Sequence, residues 1–152
     1  MIPKFRAWVK PGVLSNHLDG VIAEAKPDFL GMNCLVKRND LVGKDCFTEI
    51  VDFDDVILMQ STGLQDKNGV EIYVGDIVIL TSKSINYADT YWHNYAEVIR
   101  HPNGAYRLRG KGMYETELYG NRKRVTLTGN IYEAPELLEN DRFCTETDDP
   151  NC

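Results

Sequence analysis

This sequence has no apolar stretch long enough to cross a bilayer as a helix, which takes roughly 18 consecutive apolar residues, so no membrane partner is expected. The apolar h-region of a secretory signal is missing behind Met1-Ile2-Pro3-Lys4-Phe5-Arg6, which gives the expectation of a cytosolic protein. Closely spaced cysteines are lacking as well: Cys34, Cys46, Cys144 and Cys152 form no C-x-x-C pair, so neither a zinc site nor a disulfide framework is expected. There are only three histidines, His17, His93 and His101, and no serine sits in a nucleophile-elbow glycine pattern, so no catalytic residues are assigned. Neither G-x-x-x-x-G-K-[ST] nor G-x-G-x-x-G occurs in a strand-to-helix context, which leaves no phosphate cradle and no cofactor to assign.

What is there is an ordinary globular mixture. Hydrophobic residues at 43% against 26% charged are too many for a disordered chain. The net charge of −6 is unevenly spread. Glu139, Asp141, Glu146, Asp148 and Asp149 stand against Arg142 alone in the last segment, so residues 139–152 read as an acidic, flexible tail on a nearly neutral body.

Strand signals dominate. Lys4 to Lys10 alternates charged and apolar side chains, as a strand with one buried face does. The stretch 11–45 is broken by Gly20, Pro27, Gly31 and Gly43 and reads as irregular, with room for a short helix before Pro27. Phe47 to Phe53 and Val56 to Gln60 read as strands, and Ile77-Val78-Ile79-Leu80 reads as a strand buried on both faces. Tyr95 to Ile99, Ala105 to Arg109 and Arg124 to Thr128 follow, the first two joined by a hairpin turn at His101-Pro102-Asn103-Gly104. Asn68-Gly69 tolerates positive φ and predicts a type I′ reversal. Pro135 to Glu139 suits the first turn of a helix whose leucines dock on the preceding strands.

The expected fold is therefore mainly β, with α+β as the variant. A small SH3-like β-barrel occupies the C-terminal half, and an irregular N-terminal lobe holds strands and at most one short helix. The divisions are 1–58 for the lobe, 59–138 for the barrel-like core and 139–152 for the tail.

Three blocks resemble the YopX family of bacteriophage and prophage proteins. They are Lys4-Phe5-Arg6-Ala7-Trp8; Met59 to Gly69 with Glu71-Ile72-Tyr73 and Gly75-Asp76-Ile77-Val78; and Gly129-Asn130-Ile131-Tyr132-Glu133 with Pro135-Glu136-Leu137-Leu138. The resemblance implies a phage origin, the cytoplasm of a bacterial host, no assigned activity and a homo-oligomer. It supplies no catalytic residue.

Within those blocks Thr62, Gly63, Asp66, Asn68, Gly69, Gly75, Asp76, Gly129 and Asn130 read as turn-formers. Asp66-x-Asn68-Gly69 resembles the opening of a calcium loop, but the twelfth position from Asp66 is Ile77, where such a loop needs Glu. No metal is assigned.

Residues 96–128 carry a local charge of +4. Arg107 and Arg109, two apart on a strand, project from one face. With Lys111, Lys123, Arg124 and Trp92 they form a candidate binding face that could grip phosphates, with Tyr91 or Trp92 to stack a base. The competing reading is a solvated face whose cations pair with nearby carboxylates. Tyr87, Tyr91, Trp92, Tyr95, Tyr114 and Tyr119 read as loop aromatics of a contact surface. The functional expectation is an accessory protein that binds a phage or host protein, or itself, without catalysis. Nucleic-acid binding through 100–124 is the less favoured alternative.

Overall fold

The structure, a computed structural model, describes residues 4–14, 19–38 and 49–151. His17, Cys46, Cys152 and the first two residues of the strand expected from Phe47 lie outside them. The chain divides into two compact units, 1–61 and 62–152. Both are built from antiparallel strands, as the alternating and β-branched segments imply.

In the first unit β1 (Phe5–Val9), β2 (Val21–Asp28), β3 (Asn33–Val36) and β4 (Glu49–Asp52) lie side by side in reverse order, and β1 also pairs the start of β5 (Val56–Gln65). Alternation decides which face is buried. Ala7, Val9, Ala23, Ala25, Cys34, Val36 and Val51 form the core, while Glu24, Lys26, Leu35 and Ile50 take the opposite positions and are exposed.

The short helix expected before Pro27 is absent, because Val21 to Lys26 follows a period of two, with Ala23 and Ala25 inward. Pro27 is tolerated because the ladder to β1 ends at Ala25, two residues earlier. What reads as an irregular lobe is a meander, and its turn at 29–32 is held by the Asp28 carboxylate, which accepts Leu30 N–H and Gly31 N–H at 3.1 and 3.0 Å.

The second unit contains the end of β5, β6 (Glu71–Tyr73), and a sheet of β7 (Asp76–Lys83), β8 (Tyr91–Arg100), β9 (Tyr106–Arg109), β10 (Thr116–Glu117) and β11 (Val125–Asn130). Ile77 to Leu80 is buried throughout, as an unbroken apolar run requires. Val78, Val98, Leu108, Leu118 and Val125 form its core with Ile72.

The sheet runs β10-β9-β8-β7-β11 and is not closed into a barrel. Only two residues long, β10 hands the chain to a 3-10 turn at Tyr119–Arg124, so the backbone that would join it to β11 is already wound up in that turn. A second 3-10 turn, Pro135–Glu139, brings Leu137 against Gly129, where a Cβ would lie 2.9 Å from Leu137 Cδ1.

The acidic segment carries structure of its own: β12 (Phe143–Thr145) pairs the first residues of β8. Among the described residues no helix is long and apolar enough to cross a membrane.

Candidate functional site

The signature residues are engaged with backbone. Asp66 is buried, and its carboxylate accepts three N–H groups: Asn68 at 2.8 Å and Val70 at 2.9 Å from its own hairpin, and Leu127 at 2.9 Å from β11. That last bond falls where the β11 register shifts between Leu127 and Gly129, so the carboxylate satisfies an amide the bulge releases. Lys67 N–H donates to the Val125 carbonyl and fixes the same hairpin on β11.

Gly69 has φ of 82° and Asn68 has no positive φ, so the reversal is not type I′, which needs two such residues. It closes through Gly69 N–H to the Asp66 carbonyl, the three-residue pattern with one left-handed glycine.

Asp76 accepts Tyr73 N–H at 2.7 Å across the turn at Gly75. Asn130 accepts Tyr132 and Glu133 N–H groups after the Gly129 contact, and Thr62 donates to the Ile72 carbonyl one residue before Gly63. Among the described residues no three His, Cys, Asp or Glu side chains group as a metal ligand set.

Three cations of the expected binding face meet carboxylates. Arg107 reaches Glu115 at 3.3 Å, Arg109 reaches Glu97 at 3.2 Å and Lys111 reaches Asp141 at 2.8 Å. Glu115 also pairs with His101 at 2.8 Å, and these contacts, His101 foremost, hold its carboxyl below the usual range. Lys111 does the same to Asp141. Trp92 lies on β8 under the Arg142 guanidinium, 4.1 Å from its ring centre. Tyr91, Trp92 and Tyr95 are half-buried strand residues rather than loop aromatics, whereas Tyr87, Tyr114 and Tyr119 are exposed.

Lys123 and Arg124 belong to a different grouping. With Lys67, Lys83, Thr81 and Tyr91 they line a cavity of about 180 Å³ to which the described residues supply a single acid, Asp148. A shallower depression of about 630 Å³ shares Lys67 and Lys123 and extends along Gly63 to Asp66. Lys67 and Lys83 escape a reading by local charge, because they lie on stretches apart from residues 96–128. The signal that unites Lys83 with Tyr91 is hairpin register, since the two are direct partners across β7 and β8.

His93 is fully buried. Its Nδ1 lies 2.8 Å from Thr81 Oγ1 and its Nε2 lies 2.7 Å from Thr145 Oγ1. The one hydroxyl hydrogen of Thr145 goes to the Thr147 carbonyl at 2.6 Å, so Thr145 accepts from His93 Nε2–H. Burial first, and the Lys67 charge second, push its pKa below the ordinary histidine value. His93 thereby ties β12 to β7, with Phe143 stacked 4.9 Å away.

Among solved structures, the crystal structure of protein EF1440 from Enterococcus faecalis is similar over 91% of this chain and 99% of that one, with 25% identity and a TM-score of 0.58. No curated protein matches the chain. The family described as YopX protein matches residues 4–139, a span that takes in the hairpin pinned by Asp66, the Asp76 turn and the Gly129 contact, and this chain belongs to that family.

Proposed function

We propose that this protein is a phage or prophage accessory protein of the bacterial cytoplasm that works by binding protein, foremost copies of itself, and performs no catalysis. One observation carries the reading. In the first unit, Leu30 is 99% exposed and Ile50 67% exposed, with Met32 and Leu35 also at the surface.

Leu35 and Ile50 are direct cross-strand partners on β3 and β4, and among the described residues β4 ends the strand order. An edge strand offers unpaired N–H and C=O groups to another chain, and apolar side chains beside it add the burial that makes pairing favourable. The turn that exposes Leu30 also holds Met32 at φ 56°, a left-handed conformation that costs a non-glycine residue about 1 kcal/mol or more. An apolar turn kept in that form fits a contact surface better than a solvated loop.

An SH3-like reading of the second unit is supported by strand order: four strands in meander, a 3-10 turn, then β11 returning beside β7. Nucleic-acid binding by the whole face 100–124 has less support, because Arg107, Arg109 and Lys111 each face a carboxylate.

Light scattering tests the main reading. The wild type is expected to show a concentration-dependent mass above 17.3 kDa. The double variant Leu35→Lys, Ile50→Lys is expected at monomer mass, with folding stability within about 0.5 kcal/mol of wild type. A wild type that stays monomeric at every concentration, and captures no protein partner through this edge, overturns it.

A further inference from the structure

We infer that the cavity lined by Lys67, Lys83, Lys123 and Arg124 in the second unit is a binding site for a phosphate group, with Tyr91 placed against whatever the phosphate carries. Three separate segments build the site: the Asp66 hairpin supplies Lys67, the β7–β8 hairpin supplies Lys83 and Tyr91, and the end of the 3-10 turn supplies Lys123 and Arg124. Each is fixed by backbone bonds. Lys67 N–H is held on Val125, and Lys83 is in register with Tyr91.

Four cations around one small cavity repel one another, and among the described residues the only acid that lines it is Asp148. The contrast with the neighbouring cations is direct. Arg107, Arg109 and Lys111 have carboxylate partners, and Arg122 donates to the Tyr119 carbonyl and lies 4.1 Å over its ring.

Lys83 and Lys123 make no ion pair among the described residues, so their donors are available. Lys67 spends one of its three donors on the Asp148 carbonyl, and Arg124 spends one of its five on Asn121. A phosphate with its several acceptor oxygens takes up what remains and removes the mutual repulsion. The larger depression that shares Lys67 and Lys123 gives room for an attached sugar and base.

This site lies within the second unit and does not depend on the proposed interface of the first. The phosphate could belong to a free oxyanion, a nucleotide or a single strand, and the test separates these.

Backbone amide shifts of the full chain are followed by NMR while inorganic phosphate, thymidine 5′-monophosphate and a short oligothymidylate are added in turn. Saturable shifts at residues 67, 83, 91, 123 and 124 are expected. The double variant Lys83→Ala, Lys123→Ala, both exposed positions, is expected to weaken binding at least about tenfold. Arg109→Ala changes it less than about twofold, because that side chain is engaged with Glu97.

If the nucleotide binds tighter than phosphate and Tyr91→Ala removes about tenfold of that difference, the ligand is a nucleotide. A further gain for the oligomer, falling with salt, marks a strand. Equal binding of phosphate and nucleotide marks a free oxyanion site. No saturable shift with any of the three probes, or wild-type affinity in the double lysine variant, overturns the proposal. Light scattering of that variant keeps its wild-type mass, so failure here is distinct from failure of the interface.

Discussion

The two units use the same antiparallel meander with side chains of different size in their sheet cores. In the first, the core is made largely of alanines and valines, and larger side chains such as Leu30, Leu35 and Ile50 stand outside. In the second, Ile72, Ile77, Leu108 and Leu118 are fully buried, and the exposed positions around β11 are cationic. Buried area per side chain therefore favours the second unit: a buried leucine contributes about 1.5–3 kcal/mol, and an alanine a fraction of that. The contrast is one of degree, since Leu14 and Met59 are buried in the first unit and Ile85 and Tyr114 stand exposed in the second.

The comparison is broken most strongly from inside the second unit. Leu108→Ala removes a fully buried side chain from the middle of β9 and is expected to lower stability by about 3 kcal/mol. Val36→Ala at an equally buried position of the first unit deletes less volume and is expected to cost about half as much. Urea denaturation followed by tryptophan fluorescence measures both. Equal losses would mean that the alanine-rich core is packed as effectively as the larger one.

A smaller effect sharpens the role of the hairpin. Asp66→Ala removes the acceptor for three backbone amides and is expected to cost about 2 kcal/mol. Amide exchange at Asn68, Val70 and Leu127 should accelerate together. Loss confined to Asn68 and Val70 would show that the bond to β11 carries little weight.

Much of the fold is legible where local pattern and tertiary demand agree. The alternation at Phe5 to Val9 and the apolar run Ile77 to Leu80 each determine a strand without help from distant residues. Legibility fails where small or charged residues do the work of large apolar ones. Ala23 and Ala25 fill the inward positions of β2, yet flanked by Gly20 and Pro27 they look like a loop. Likewise β12 sits in an acidic stretch whose composition suggests solvent, although Phe143 and Thr145 find their partners on β8.

The candidate site is less legible than the fold. Charge density alone collects Arg107, Arg109 and Lys111, whose neutralising carboxylates Glu115, Glu97 and Asp141 are brought in by strand pairing and by the tail. The four cations of the cavity are scattered from 67 to 124, and they are united by the register of β7, β8 and β11 together with the Lys67 N–H bond to Val125.

The smallest expected effect concerns His93, which links the strand of the acidic segment to the larger core. The groups around its ring are Thr81 from β7, Thr145 and Phe143 from β12, the Lys67 ammonium, and the carboxylates of Asp148 and Asp149. Burial and Lys67 lower its pKa in the folded chain, and the two aspartates offset that only in part.

The unfolded chain therefore takes up the histidine proton at higher pH than the folded one. The associated stability is fully present above about pH 6.5, the ordinary histidine value, and declines as pH falls from there toward the depressed folded value. Below it, the loss levels off. His93→Gln, which keeps a donor and an acceptor but cannot titrate, is expected to flatten this part of the stability profile between pH 7 and 5. Urea melts of both proteins across that range measure it. An unchanged slope in the variant would move the pH dependence to other groups and leave His93 as a packing residue alone.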